Sequence, residues 1–212
     1  MIVWFRRKSK RRKLLRELCE AIAQEVPRFA LDVKQLCSEV PELVELNEML
    51  LRLGALAFFL HTVDRLSFRT QNEELHKLAF VNTALVLSRM YGEVISGMNA
   101  GYLRLRQELR ALGDDLPADA VPGSTELASI PAAEKEMLIY LNLHGSQYGK
   151  ASKLVGKAFD RDSAAWLAAC AIADEVDHPK EIRLVPVIYA RLIKGVINLQ
   201  LEQRVKAIER FI

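Results

Sequence analysis

No stretch of this chain alternates apolar and polar residues with period two for long enough to make a strand. Apolar residues recur instead at three- and four-residue steps, which confines the chain to an all-α fold. Leu14, Leu15, Leu18, Cys19, Ile22 and Val26 trace one stripe of a helix that Pro27 is expected to end. Asp32 to Val40 reads as a short helix closed before Pro41. Pro41 suits the first turn of a long helix, where a missing N–H is no loss. Leu43, Leu46, Leu50, Leu53, Ala57 and Leu60 then follow one face, and Met49, Leu56 and Val63 widen it. The stretch Leu53–Leu60 is apolar on every side, which places this helix at the centre of the fold.

Further along, Thr70-Gln-Asn-Glu73 matches a capping box. It opens a helix through Leu75, Leu78, Ala79, Val86 and Met90 that can run to Leu112, bending at Gly92 or Gly97. The linker candidate is the loop from Gly113 through Pro122-Gly123 and on to about residue 130. Pro131 opens a helix with Met137, Leu138, Leu141 and Leu143. The stretch His144 to Ser152 breaks the pattern, and Lys153 to Phe159 resumes it. Asp162-Ser163 caps a helix to Val176, stopped by His178-Pro179. A last helix runs from about Lys180 to the C-terminus, with Pro186 in its first turns. The expectation is a single all-α domain, a helical bundle of six to eight helices over 14–212. Its halves, 14–112 and 131–212, are joined by the loop near 113–130.

Glycine (10) and proline (7) are scarce, and half of the residues are hydrophobic, so disorder is excluded. Three widely spaced cysteines, Cys19, Cys37 and Cys170, form no disulfide framework and no CxxC motif. They read as reduced core thiols of a cytoplasmic protein.

Charge is distributed unevenly. Residues 1–16 hold eight basic side chains and no acid: Arg6, Arg7, Lys8, Lys10, Arg11, Arg12, Lys13 and Arg16. The rest keeps 22 of the 30 Lys and Arg against 27 Asp and Glu, a net charge of −5. Residues 1–13 therefore read as a basic N-terminal arm, helical from about Lys10, on a mildly acidic body. The apolar residues Ile2-Val3-Trp4-Phe5 precede the charges, the reverse of a secretory signal. No uninterrupted run of ~18 apolar residues offers to span a bilayer. Trp4, Phe5 and the cations Arg6, Arg7, Lys8, Lys10, Arg11, Arg12 and Lys13 make an anionic-surface candidate. An apolar tip beside a basic cluster favours a membrane surface over nucleic acid, and the acidic body would repel DNA.

Three constellations bear on chemistry. Gly145 to Ser152 resembles a phosphate loop, but the glycine gap is three residues and Ala151 follows Lys150. Two Glu-x-x-His pairs, Glu73/His76 and Glu175/His178, are metal candidates of the ferritin-like type, yet both stand at helix ends. Of the two extra carboxylates such a centre uses, Glu45 or Glu48 can supply one, while Gly145 stands where the other belongs. His61, Asp64 and Arg65 lie together on the central helix. There His61 and Asp64 read as a pair fixing helix register, or as the polar floor of a ligand pocket. Asp64 needs a partner, which Arg65, Arg69 or a cation from another helix can supply. No Ser-His-Asp or Cys-His unit is visible, and no cofactor is expected.

The function expected is that of a non-enzymatic regulatory or scaffolding protein. It docks on protein partners and, through its basic arm, on the cytoplasmic membrane surface; self-association stays open. The alternatives are a small-ligand or metal-dependent ferritin-like enzyme and a nucleic-acid-associated protein.

Overall fold

The computed structural model describes residues 2–38, 46–69, 71–88, 141, 144–145, 147–148, 151–155, 160–176 and 184–212, with side chains from Lys8 onward. The chain is predominantly helical, and no strand occurs among the described residues. The loop near 113–130, the helix opened by Pro131 apart from Leu141, Pro41, Gly92, Gly97 and His178 lie outside them.

Helix α1 spans Ile2–Cys37 with Pro27 inside it. This corrects the expectation of two helices, one starting near Lys10 and ending at Pro27. The reason is visible in the core: Leu18, Ile22, Val26, Phe29, Ala30, Val33 and Cys37 are all buried and stay in phase across the proline. Proline removes one backbone bond at a cost of ~3 kcal/mol, whereas each fully buried large side chain contributes ~1.5–3 kcal/mol. Packing wins.

Helix α2 spans Glu48–Phe68. Its start lies beyond Pro41, at Asn47, whose Oδ1 accepts from the N–H groups of Met49 (3.0 Å) and Leu50 (3.3 Å). Glu48 then sits in the first turn, favourable to the helix dipole, and pairs with Arg52 and with Lys34 of α1. Every residue from Leu53 to Val63 is buried, as the all-round apolar stretch requires. Around α2 pack α1, α3 (Glu73–His76), α4 (Ala164–Glu175), α5 (Leu184–Leu199) and α6 (Leu201–Glu209).

Two glycines let the neighbours approach. A Cβ on Gly54 would lie 2.4 Å from Ile172 Cγ1 of α4, and one on Gly195 of α5 would lie 2.5 Å from Phe59 Cζ. Both helix crossings therefore depend on hydrogen-sized side chains.

The capping box resolves differently from its sequence. Asn72 is the cap of α3, its Oδ1 accepting from Leu75 N–H at 3.1 Å, after a turn in which Gln71 takes φ 53°. Glu73 is simply the first helical residue. A wider turn over Lys77–Val81 follows, closed by the Asn82 N–H on the Lys77 carbonyl, and the helix continues to Ser88.

Before α4, the chain at 153–154 is not helical as periodicity suggested. The carbonyls of Lys153 and Leu154 accept from Ala164 (2.9 Å) and Ala165 (3.1 Å), satisfying donors that open α4, while Ser163 Oγ caps Trp166 as expected. The C-terminal helix is broken at Gln200, which adopts φ 47°. Arg204 Nε donates to the Leu199 carbonyl at 2.8 Å, so one α5 end group is satisfied from the next helix. By length and composition alone, Leu184–Glu209 is apolar enough to cross a membrane, more than the sequence reading allowed; half of its most apolar window is buried inside the protein.

Candidate functional site

The two regions that the sequence singles out are a row of cations on α1 and a polar cluster on α2, linked through α3, where Glu74 meets Arg11 and His76 meets Asp64. On α1 the basic residues share one element with the core stripe. Leu14 and Leu15 are half-buried and Leu18 fully buried, which turns Ser9, Lys10, Arg12, Lys13 and Arg16 outward. Lys8, Ser9, Arg12, Lys13 and Arg16 together line one shallow cationic groove. Part of the charge is already engaged. Lys13 reaches Glu17 at 3.8 Å, Arg16 reaches Glu20 at 3.6 Å, and Arg11 crosses to Glu74 ahead of the π turn at 3.1 Å. Lys10 Nζ stands 4.8 Å over the ring of Phe211, anchoring α1 to the C-terminus. Arg12 is exposed and makes no ion pair among the described residues. Trp4, Phe5, Arg6 and Arg7 have helical backbone, and their side chains lie outside the described set.

No acid occupies the first turn of α1. Cations at i, i+4 spacing (Lys8, Arg12, Arg16) repel one another. Anions placed against this row relieve that repulsion.

The interior cluster differs from the expected pairing of His61 with Asp64. Asp64 Oδ1 accepts instead from His76 Nε2 at 2.6 Å. The reason is geometric: Asp64 lies at the half-buried edge of α2, facing α3, while His61 turns inward. Both members of the pair are only about one-third exposed, and His76 stacks on Phe80 at 5.3 Å. Neither Arg65 nor Arg69 is the partner; Arg65 Nη2 makes a long contact of 3.5 Å to the Ser152 carbonyl.

His61 is buried, its ring edge-on to Tyr148 at 4.9 Å between centroids. Its Nε2 and the Tyr148 hydroxyl have no hydrogen-bond partner among the described residues. Burial lowers the His61 pKa to about 4, against a raising effect of Asp64 and with a further lowering by Arg65. Burial raises the Tyr148 phenol well above its ordinary value, and Glu175 adds to this.

The two Glu-x-x-His pairs separate. Glu73 is exposed, and His76 belongs to Asp64. Glu175 bonds His144 Nε2 at 2.6 Å, with His144 almost fully buried. Among the described residues no three His, Cys, Asp or Glu side chains converge as a metal-binding group. What the structure assembles is two His–carboxylate dyads: His76–Asp64 pins α3 to α2, and His144–Glu175 pins the helical residue His144 to α4.

Sequence reasoning missed His144 as the partner of Glu175 and Tyr148 as a core residue, reading the first as the start of a break in the helical pattern and the second as part of a failed phosphate loop. It also missed two links between α1 and α5. Arg191, nearly buried, pairs with Asp32, and buried Glu25 accepts from Asn198 Nδ2 at 3.2 Å. The only signal available was a charge inside an otherwise apolar helical stripe, which marks the need for a partner without naming it. Comparison of the chain with protein-family models, with curated proteins and with solved structures finds no match.

Proposed function

We propose that this protein is a non-enzymatic regulatory or scaffolding helical protein that docks on an anionic surface through the N-terminal third of α1. In this reading the whole chain is a bundle of six to eight helices, and the surface is the cytoplasmic face of a membrane. Protein partners engage the same assembly there.

The observation that carries the reading is the placement of the charge. Eight cations fall within the first 16 residues, on a helix that is continuous with the core, and Lys10, Arg12, Lys13 and Arg16 are exposed along it. Each basic residue near an anionic leaflet contributes ~1 kcal/mol, and Ile2, Val3, Trp4 and Phe5 supply the apolar insertion that charge alone lacks. Because Lys10 and Arg11 are tied to the body, the docked surface has a fixed orientation relative to the core.

The enzyme alternative has less support. Of the residues on which it rests, Asp64, His76 and Glu175 are engaged in dyads that join elements of the fold. For nucleic acid, the basic row offers phosphate contacts, but the apolar tip has no role there.

Co-sedimentation with liposomes tests the proposal. Binding is expected to rise with the anionic lipid fraction and to fall with salt, since the attraction is screened over ~10 Å at 0.1 M. Removing Met1–Phe5 should weaken liposome binding and leave duplex DNA binding unchanged. Equal liposome binding with and without those residues would remove the membrane reading.

A further inference from the structure

Beside the basic row, α1 and the helical segment 82–88 enclose a cleft of about 690 Å³. That lies within the range of small-ligand sites, ~300–1,000 Å³. Its floor is apolar: Leu15, Cys19 and Ala23 from α1 face Val86, which stays 42% exposed although it is a large hydrophobic residue. Burial raises the Cys19 thiol pKa, and the buried Thr83 hydroxyl carries no charge, so no ionised group occupies the floor. Arg12 and Arg16 stand at one end, with Glu20 beside Arg16. Along α1 the cleft runs from residue 12 to residue 24, about 18 Å at the helical rise. A long apolar trough with a net cationic mouth is complementary to a molecule having the opposite arrangement.

We propose that this cleft binds a single anionic amphiphile of the fatty-acid class, its acyl chain along Leu15, Cys19, Ala23 and Val86 and its carboxylate on Arg12 and Arg16. The inference goes beyond docking on a membrane. It shares two arginines with that reading but needs no bilayer, and it makes the basic row responsive to a monomeric ligand. Occupancy covers Val86 and neutralises the mouth, so the bound ligand competes with an anionic surface for Arg12 and Arg16.

Calorimetric titration of the full chain with laurate, held below its micellar concentration, tests this, with dodecanol as the uncharged probe. One laurate per chain is expected to bind. In the double variant R12Q/R16Q its affinity should fall about tenfold, the sum of two partly exposed charge contacts, while dodecanol binding stays unchanged. Ala23→Phe, which fills the trough, and Val86→Asp, which places a like charge on its exposed wall, should each abolish laurate binding. The second variant alters a surface position and so serves if the first does not fold. Liposome co-sedimentation of Val86→Asp should match that of the unaltered protein. Undetectable laurate binding, or wild-type binding in Val86→Asp, would overturn the cleft whatever the liposomes show. Laurate bound in the cleft by a chain that ignores anionic liposomes would sustain the cleft and sink membrane docking.

Discussion

The two ends of α1 are built on opposite principles. From Leu18 to Cys37 the helix is held by a buried stripe strong enough to carry it through Pro27. From Lys8 to Arg16 it has partial cover from Leu14 and Leu15, the contacts of Lys10 with Phe211 and of Arg11 with Glu74, and cations at i, i+4 spacing that repel one another. The first end is stable because of what it touches inside the protein. The second, in the function proposed above, is completed by an anionic surface. A helix element can thus be continuous in backbone while its two ends draw their stability from different contacts.

The largest expected effect probes the satisfied side. Phe59 is fully buried on α2 and packs directly on Gly195, so Phe59→Ala should destabilise the protein by about 3–5 kcal/mol. Equilibrium denaturation in urea measures this. A loss under 1 kcal/mol would mean that α2 is not the centre of the core, and the contrast with the basic end would collapse.

Next in size is a pH effect at the inner edge of α2. His61 has a folded pKa of about 4, set first by burial, against about 6.5 in the unfolded chain. Above pH 6.5 both states are neutral there and His61 adds nothing to the pH dependence. As pH falls from 6.5 towards 4, the unfolded chain takes up a proton that the folded one refuses, so stability falls, by roughly 3 kcal/mol in all. Asp64, Arg65, His76, His144 and Glu175 are ionisable neighbours in the same region. The measurement is therefore the difference between the stability profiles of the unaltered protein and His61→Gln. Profiles that stay parallel between pH 6.5 and 4 would show that His61 is solvated.

The smallest effect lies at the joint between the two ends. The Arg11–Glu74 pair is partly exposed, so Glu74→Gln should cost only about 0.2–1 kcal/mol. A double-mutant cycle with Arg11→Gln checks it. A coupling above 2 kcal/mol would mean that the core does hold the basic end, and would blunt the contrast.

The sequence made some of this legible and hid the rest for identifiable reasons. The burial of Leu53–Leu60 could be read directly, because a segment apolar on all sides has nowhere else to go. The Ser163 cap was readable because a hydroxyl before an apolar run has a local purpose. Pro27 misled because the local rule was weighed alone, although Phe29, Ala30, Val33 and Cys37 continue the stripe in phase. Asp64 signalled a need for a partner, but the choice of His76 over His61 depends on where α3 packs, which no local pattern encodes. His144–Glu175 and Asp32–Arg191, 31 and 159 residues apart, are invisible for the same reason. The basic row was legible as charge. Its membership of a continuous α1, and the cleft beside it, required the fold.

Amide hydrogen exchange of the full chain, with and without anionic vesicles, tests the central claim most directly. Protection at residues 8–16 of α1 should be low in the free protein, rise when vesicles are added, and fall back at high salt. The amides of Leu53–Leu60 should not respond. Protection at 8–16 that is already as high as in Leu53–Leu60, and unmoved by vesicles, would contradict the account, because the basic end would then be satisfied by the protein itself.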